Sequence, residues 1–201
     1  MVIFKRKTLP TNLPKGIVAH AHPTGWMDEG GCMKWIKEVW NVRPGGLRKE
    51  RSLLVWDQFR SHLMESVVAN VREQNTDIAV IPGGLTSLVQ PLDVSINKLF
   101  KDMMRKEWNE WMIGGEKTYT KGGSMRAATM PEVCQWIIDS WNKVKVETIQ
   151  KAFKKCGISN ALDGTEDDEL WDDMDEEAAD DVQPQESDDE VDEFDDIHVD
   201  D

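Results

Sequence analysis

Between residues 52 and 81 the spacing of apolar positions changes period twice. Ser52-Leu53-Leu54-Val55-Trp56 is an apolar run of strand length ending on Asp57, and Asp77-Ile78-Ala79-Val80-Ile81 is a second, leading into Pro82-Gly83-Gly84. Between them Val67, Val68 and Val71 recur at helical spacing, which predicts a helix over residues 64–74 with Ser61 as its N-cap and Met64 and Glu65 opening the first turn. Strand, helix and strand at this length match a βαβ crossover, so the two strands are predicted to be parallel. Upstream, Met1-Val2-Ile3-Phe4 and Ile17-Val18-Ala19-His20 read as short strands. Residues 27–40 read as a helix with Met33, Ile36, Val39 and Trp40 at helical spacing, its first turn weakened by Gly30-Gly31. Pro44-Gly45-Gly46 signals a turn.

Beyond Asp93 the pattern is helical throughout. Ile96, Phe100, Met103, Met104, Trp108 and Trp111 form an apolar stripe of roughly four turns. A Gly-rich basic loop covers residues 114–127, and Thr129, Met130 and Pro131 open a further helix with Val133, Trp136, Ile137 and Trp141 inward. A last helix over residues 146–156 buries Ile149 and Phe153 and stops at Gly157. The fold class predicted is α/β.

Charge divides the chain. Of its 38 acidic residues, 22 lie in residues 161–201, which hold no Lys or Arg; the other 16, set against 24 basic residues, leave residues 1–160 at +8. The reading is a modestly basic globular body, 1–160, suited to nucleic acid, followed by an acidic tail, 161–201, too poor in apolar residues to offset the entropy of ordering it. Such a tail either solubilises, repels DNA, mimics phosphate against the body or binds basic chromatin proteins such as histones. Ser187, in an acidic context, suits an acidophilic kinase. Cys32, Cys134 and Cys156 form neither a CxxC nor a Cys/His cluster, which fits a reducing compartment, and no apolar run approaches membrane-span length. A soluble intracellular protein is expected.

Asp57 and Asp93 each follow an apolar run or turn, where α/β folds gather ligands beyond strand ends. A pair of divalent metals held by several carboxylates can activate a water or a DNA 3′-hydroxyl, and Mg²⁺ demands such oxygen ligands. A single Asp after a strand also serves as an ordinary cap. His20 and His22 would face one side of a strand, but two ligands do not make a zinc site. Lys5, Arg6 and Lys7, and Arg43, Arg48, Lys49 and Arg51, form two basic clusters that suit phosphate contacts or a solvated surface equally. The tryptophans on apolar faces are expected in the core rather than stacked on bases.

Leu53-Leu54-Val55-Trp56-Asp57-Gln58-Phe59-Arg60-Ser61-His62-Leu63 and Ile81-Pro82-Gly83-Gly84-Leu85-Thr86-Ser87-Leu88-Val89-Gln90-Pro91-Leu92-Asp93 resemble the catalytic domain of pogo/Tigger-type transposases, a DDE superfamily with an RNase H-like fold. The 35 residues between the two aspartates match the spacing of that group. Phe4-Lys5-Arg6-Lys7-Thr8 and Gly25-Trp26-Met27-Asp28-Glu29 extend the resemblance over most of residues 1–160. It implies DNA as partner, a nuclear location, Asp57 and Asp93 as catalytic ligands of Mg²⁺ or Mn²⁺, and His62 beside the active crevice. The family's first catalytic Asp lies on a strand upstream of the segment resembled by Met1–Phe4. These residues therefore read as a partial DDE domain, one ligand short, in which Asp57 and Asp93 are vestigial and DNA binding, through Lys5, Arg6, Lys7, Arg48, Lys49 and Arg51, is the activity expected to remain. Asp28 and Glu29 are poorly placed to replace the lost ligand. Two alternatives stay open: an endonuclease completed by further N-terminal sequence, and an interaction module acting through the tail.

Overall fold

The structure is a computed structural model that describes residues 1–115 and 117–166. Most of the acidic tail, with Ser187, lies outside the described residues. The described chain divides into two units, one of residues 1–11 and 15–94, the other of residues 12–14 and 95 onward.

The first unit is α/β. Strand β1 (Val2–Lys5) pairs in parallel with β2 (Ala19–His22), and β3 (Ser52–Asp57) pairs in parallel with β4 (Thr76–Ile81). The β2 strand therefore sits two residues later than the apolar pattern of residues 17–20 predicts, because Val2 pairs with Ala19 and draws His20 and His22 into the ladder. Between β3 and β4 runs helix α2 (Glu65–Glu73), the predicted crossover. Leu54 and Trp56, two apart on β3, point to one face and meet Val67 and Val71, four apart on α2. Cys32 and Ile36 complete this buried group, and Met27, Met33, Trp35, Trp40 and Ile78 pack around it. Asn75, in the left-handed region at φ 55°, makes the turn from α2 into β4.

Two local features differ from the sequence pattern. Ser61 does not cap α2: it is buried in a 3₁₀ turn, Arg60–Leu63, and donates its hydroxyl to the Met27 carbonyl at 2.8 Å, leaving Met64 at the helix start. The helix predicted over residues 27–40 is α1 (Glu29–Trp35), capped by Asp28, which widens into a π-helical turn, Ile36–Trp40. Trp40 ends this turn in contact with the sheet: its indole N–H reaches Thr76 Oγ1 at 3.1 Å, and the Arg43 guanidinium lies 3.7 Å over its ring. Arg43 also donates to Ser52 Oγ at 2.5 Å, so this member of the second basic cluster is a packing group.

The second unit is helical, with α4 (Asn97–Gly114), α5 (Met130–Lys143) and α6 (Val146–Lys155); the four-residue α3 (Thr86–Val89) belongs to the first unit, and the turn Leu92–Ile96 crosses from one to the other. Its core holds Ile96, Val144 and Ala152, surrounded by Leu99, Met103 and Ile149. Thr129 precedes α5 as predicted, and the Glu132 carboxylate reaches back to accept its N–H at 2.7 Å, one half of a Thr-x-x-Glu capping box. Gly157, at φ +67°, ends α6 as predicted. Trp108, Trp141 and Phe153, expected inside, are substantially exposed, because each sits at the margin of its helix's apolar stripe. No helix among the described residues is long and apolar enough to cross a membrane.

Val71 has no exposed surface, whereas Val146, at the start of α6, is 63% exposed. Val71→Ala should lower stability by about 2 kcal/mol, through two lost methyl groups and the cavity they leave. Val146→Ala should stay within about 0.5 kcal/mol. Urea unfolding midpoints of the two variants measure the difference.

Candidate active site

Parallel pairing fixes where the chain leaves the sheet after each strand. Asp57 is the last residue of β3 and stands opposite Ile81, the last residue of β4. Both following loops therefore start from the carboxyl end of this sheet, where α/β folds place their sites. Gln58 ties the loops together, its Oε1 accepting the Gly83 N–H at 3.0 Å.

The Asp57 carboxylate is held from one side. Its Oδ1 accepts the Phe59 N–H at 3.0 Å and lies 2.8 Å, within hydrogen-bond distance, from His62 Nδ1. The five-residue interval becomes a contact because the chain folds straight into the 3₁₀ turn. His62 lies flat on buried Trp56, with centroids 4.6 Å apart and planes 7° apart, which fixes the imidazole plane. Both interactions fall on Oδ1, so Oδ2 keeps its lone pairs. A carboxylate oriented by a histidine and a backbone N–H, with its second oxygen unengaged, is suited to bind a cation.

Asp93 is exposed on the π-helical turn Leu92–Ile96, its N–H bonded to the Gln90 carbonyl at 3.0 Å. Gln90, in the same Gln-Pro-Leu-Asp block, keeps a buried Oε1 without a hydrogen-bond partner. Asp57 Oδ2 and the Asp93 carboxylate are hard oxygens, so the donors fit Mg²⁺ or Mn²⁺ in kind. In number they fall short, since no group of three or more His, Cys, Asp or Glu side chains suited to a metal occurs among the described residues. Asp28 is engaged elsewhere. It caps Gly31 N–H at 2.7 Å and faces His22 Nε2 at 3.5 Å and His20 Nε2 at 3.9 Å. The two histidines do face one side of β2, with ring centroids 6.5 Å apart.

The two basic clusters differ. Lys5 and Lys7 are exposed at the end of β1, with the partly buried Arg6 between them. In the second cluster the charges meet protein partners: Arg48 faces Glu50 at 3.6 Å, Arg51 faces Asp77 at 3.1 Å, and Lys49 donates to the Glu73 carbonyl at 3.1 Å. These exposed contacts are weak and leave the side chains free to exchange partners.

The profile of the DDE superfamily endonuclease family matches residues 1–153. The chain belongs to this family. Its α/β unit with parallel strands accords with the RNase H-like fold of DDE enzymes. It is 36% identical over 163 residues to the human protein named "Pogo transposable element with KRAB domain" and 34% identical to the mouse protein of that name, in each case over 81% of this chain. It is also 35% identical over 101 residues, half of this chain, to the human "Pogo transposable element with ZNF domain". The chain spans 27% of the length of the two KRAB-domain relatives and 7% of the ZNF-domain relative. No solved structure matches it.

Cys32, in the core beneath this site, is no nucleophile. Burial pushes its thiol up to about 11, the nearby Asp28 and Glu29 charges add to the rise, and a hydrogen bond with Ser61 only partly opposes it. Below that pH the neutral thiol dominates, and the reactive thiolate accumulates only as pH climbs towards it. Iodoacetamide at mildly alkaline pH should leave Cys32 unmodified in the native protein and alkylate it after unfolding, as peptide mass mapping will show.

Proposed function

We propose that this chain binds DNA as a portion of a DDE endonuclease domain and contributes Asp57 and Asp93 to a metal site that it does not complete alone. The observation that carries the proposal is the Asp57 carboxylate, fixed on one oxygen by His62 and Phe59 N–H and open on the other, at the sheet end from which the Asp93 segment also departs. Family membership supports DNA as the partner and Mg²⁺ or Mn²⁺ as the cation. When bound, such ions polarise phosphoryl oxygens and activate the attacking oxygen. The part played by these residues is to present oxygens in fixed positions, with His62 holding the Asp57 rotamer. With two carboxylates among the described residues, fewer than the several that hold a metal pair, DNA is retained without being cut, and the place of such an activity is the nucleus.

Lys5, Arg6 and Lys7 supply the first phosphate contacts, followed by Arg48, Lys49 and Arg51 once they leave their surface partners. Binding of this kind is independent of sequence and weakens steeply with salt, by a log–log slope of about 0.9 per phosphate neutralised. The acidic tail competes for the same charges. Gel shifts of the full chain on duplex DNA should show retention at low salt, a smaller salt slope in Lys5→Glu/Lys7→Glu, and tighter retention when residues 161–201 are removed. Absence of any shift at low salt would defeat the proposal.

A second reading, favoured by the ordered Asp57–His62 pair, is a nuclease that becomes active when further sequence adds the missing carboxylate. Supercoiled plasmid incubated with the chain and Mn²⁺ should remain intact. Nicking by this chain that disappears in Asp57→Ala would overturn the non-cutting part of the first reading, and nicking only once further sequence is added would favour the second.

A further inference from the structure

The turn joining β2 to α1 carries an indole that the core does not use. Trp26 is 67% exposed, yet its surroundings hold it in place. The next residue, Met27, offers its carbonyl to the buried Ser61 hydroxyl at 2.8 Å, which anchors the turn to the segment after Asp57. The Trp26 ring lies beside Phe59, with centroids 6.2 Å apart and planes 20° apart. Phe59 meets His62 edge-on at 5.6 Å, and His62 reaches Asp57 at 2.8 Å. A series of rings thus runs from solvent to the acid.

Positive charge lies along the other flank of the turn. Gly25, at φ +77°, packs so closely on β1 that a Cβ added to it would stand 3.2 Å from Lys5 Cβ. The His22 carbonyl accepts the N–H groups of both Gly25 and Arg6, at 3.0 and 3.1 Å. The Lys5-Arg6-Lys7 run therefore leaves β1 against the turn that presents Trp26, with Lys5 and Lys7 exposed.

An apolar protein surface would cover the indole but gain nothing from two adjacent ammonium groups. A nucleotide satisfies both, with its base on the ring and its phosphates on the lysines. Base pairs in an intact duplex keep their faces stacked on one another, so only an unpaired nucleotide can offer one. We propose that Trp26, backed by Phe59, is a stacking platform for an unpaired nucleobase, with Lys5 and Lys7 on the flanking phosphates, so that single-stranded or frayed DNA is delivered beside Asp57. The proposal rests on the DNA-binding reading above and adds to it the strand form that is held.

The test compares retention of a fluorescent single-stranded oligonucleotide and a blunt duplex by the full chain, at several salt concentrations. Trp26→Ala should weaken single-strand binding by about 5- to 100-fold, the range expected for one lost base stack. Duplex binding and the salt slope should stay unchanged, and Trp26→Tyr should recover most of the loss. Lys5→Glu/Lys7→Glu should weaken both forms and flatten the salt slope. Unchanged single-strand binding in Trp26→Ala, or equal loss on both DNA forms, overturns the platform while the DNA-binding reading stands. No retention of either form by the unaltered chain overturns both.

Discussion

The parallel register of β3 against β4 is the constraint on which the site depends. With Asp57 opposite Ile81, the two strands finish together, and the chain beyond each is released at the same end of the sheet. An antiparallel pairing would send those loops to opposite ends. The register is held by α2, whose Val67 and Val71 seal the face that Leu54 and Trp56 present, and by the Gln58–Gly83 hydrogen bond just past the strand ends. A slip of one residue would turn Leu54 and Trp56 outward and carry Asp57 to the opposite face.

Trp56 links this core to the chemistry. Its indole is buried with the apolar group, and its other contact is the flat face of His62, which in turn steadies Asp57. The carboxylate is thus oriented by a ring packed on the core, and the turn between β2 and α1 is fastened to the same segment through Ser61. The acid, its histidine and the exposed Trp26 form one connected arrangement.

The βαβ unit was legible because its periods differ sharply: continuous apolar strands on either side of a helix with valines three and four apart. Asp57 and His62 were legible together through their five-residue interval, which the resemblance placed beside the crevice and the 3₁₀ turn converts into a hydrogen bond. Ser61 was misread since a serine ahead of a helix has the composition of a cap, and only the tertiary neighbour Met27 decides where its hydroxyl goes. The π-helical turn at residues 36–40 has no signal in the helical spacing, and its last residue, Trp40, bonds Thr76, 36 residues away in sequence. Exposure is not written in local pattern, so Trp26 is not legible as a functional residue; its signal is the Pro23-Thr24-Gly25 turn immediately before it. The outward margins of Trp108, Trp141 and Phe153 follow from helical stripes that are wider than the surfaces they cover.

The central proposal is that Asp57 and Asp93 share an ion. Paramagnetic broadening of amide resonances by substoichiometric Mn²⁺ tests it directly. The account predicts that amides flanking Asp57 and those flanking Asp93 broaden together, and that both sets recover in Asp57→Ala. Broadening at one acid without the other, or persistence at Asp93 after that substitution, would contradict it.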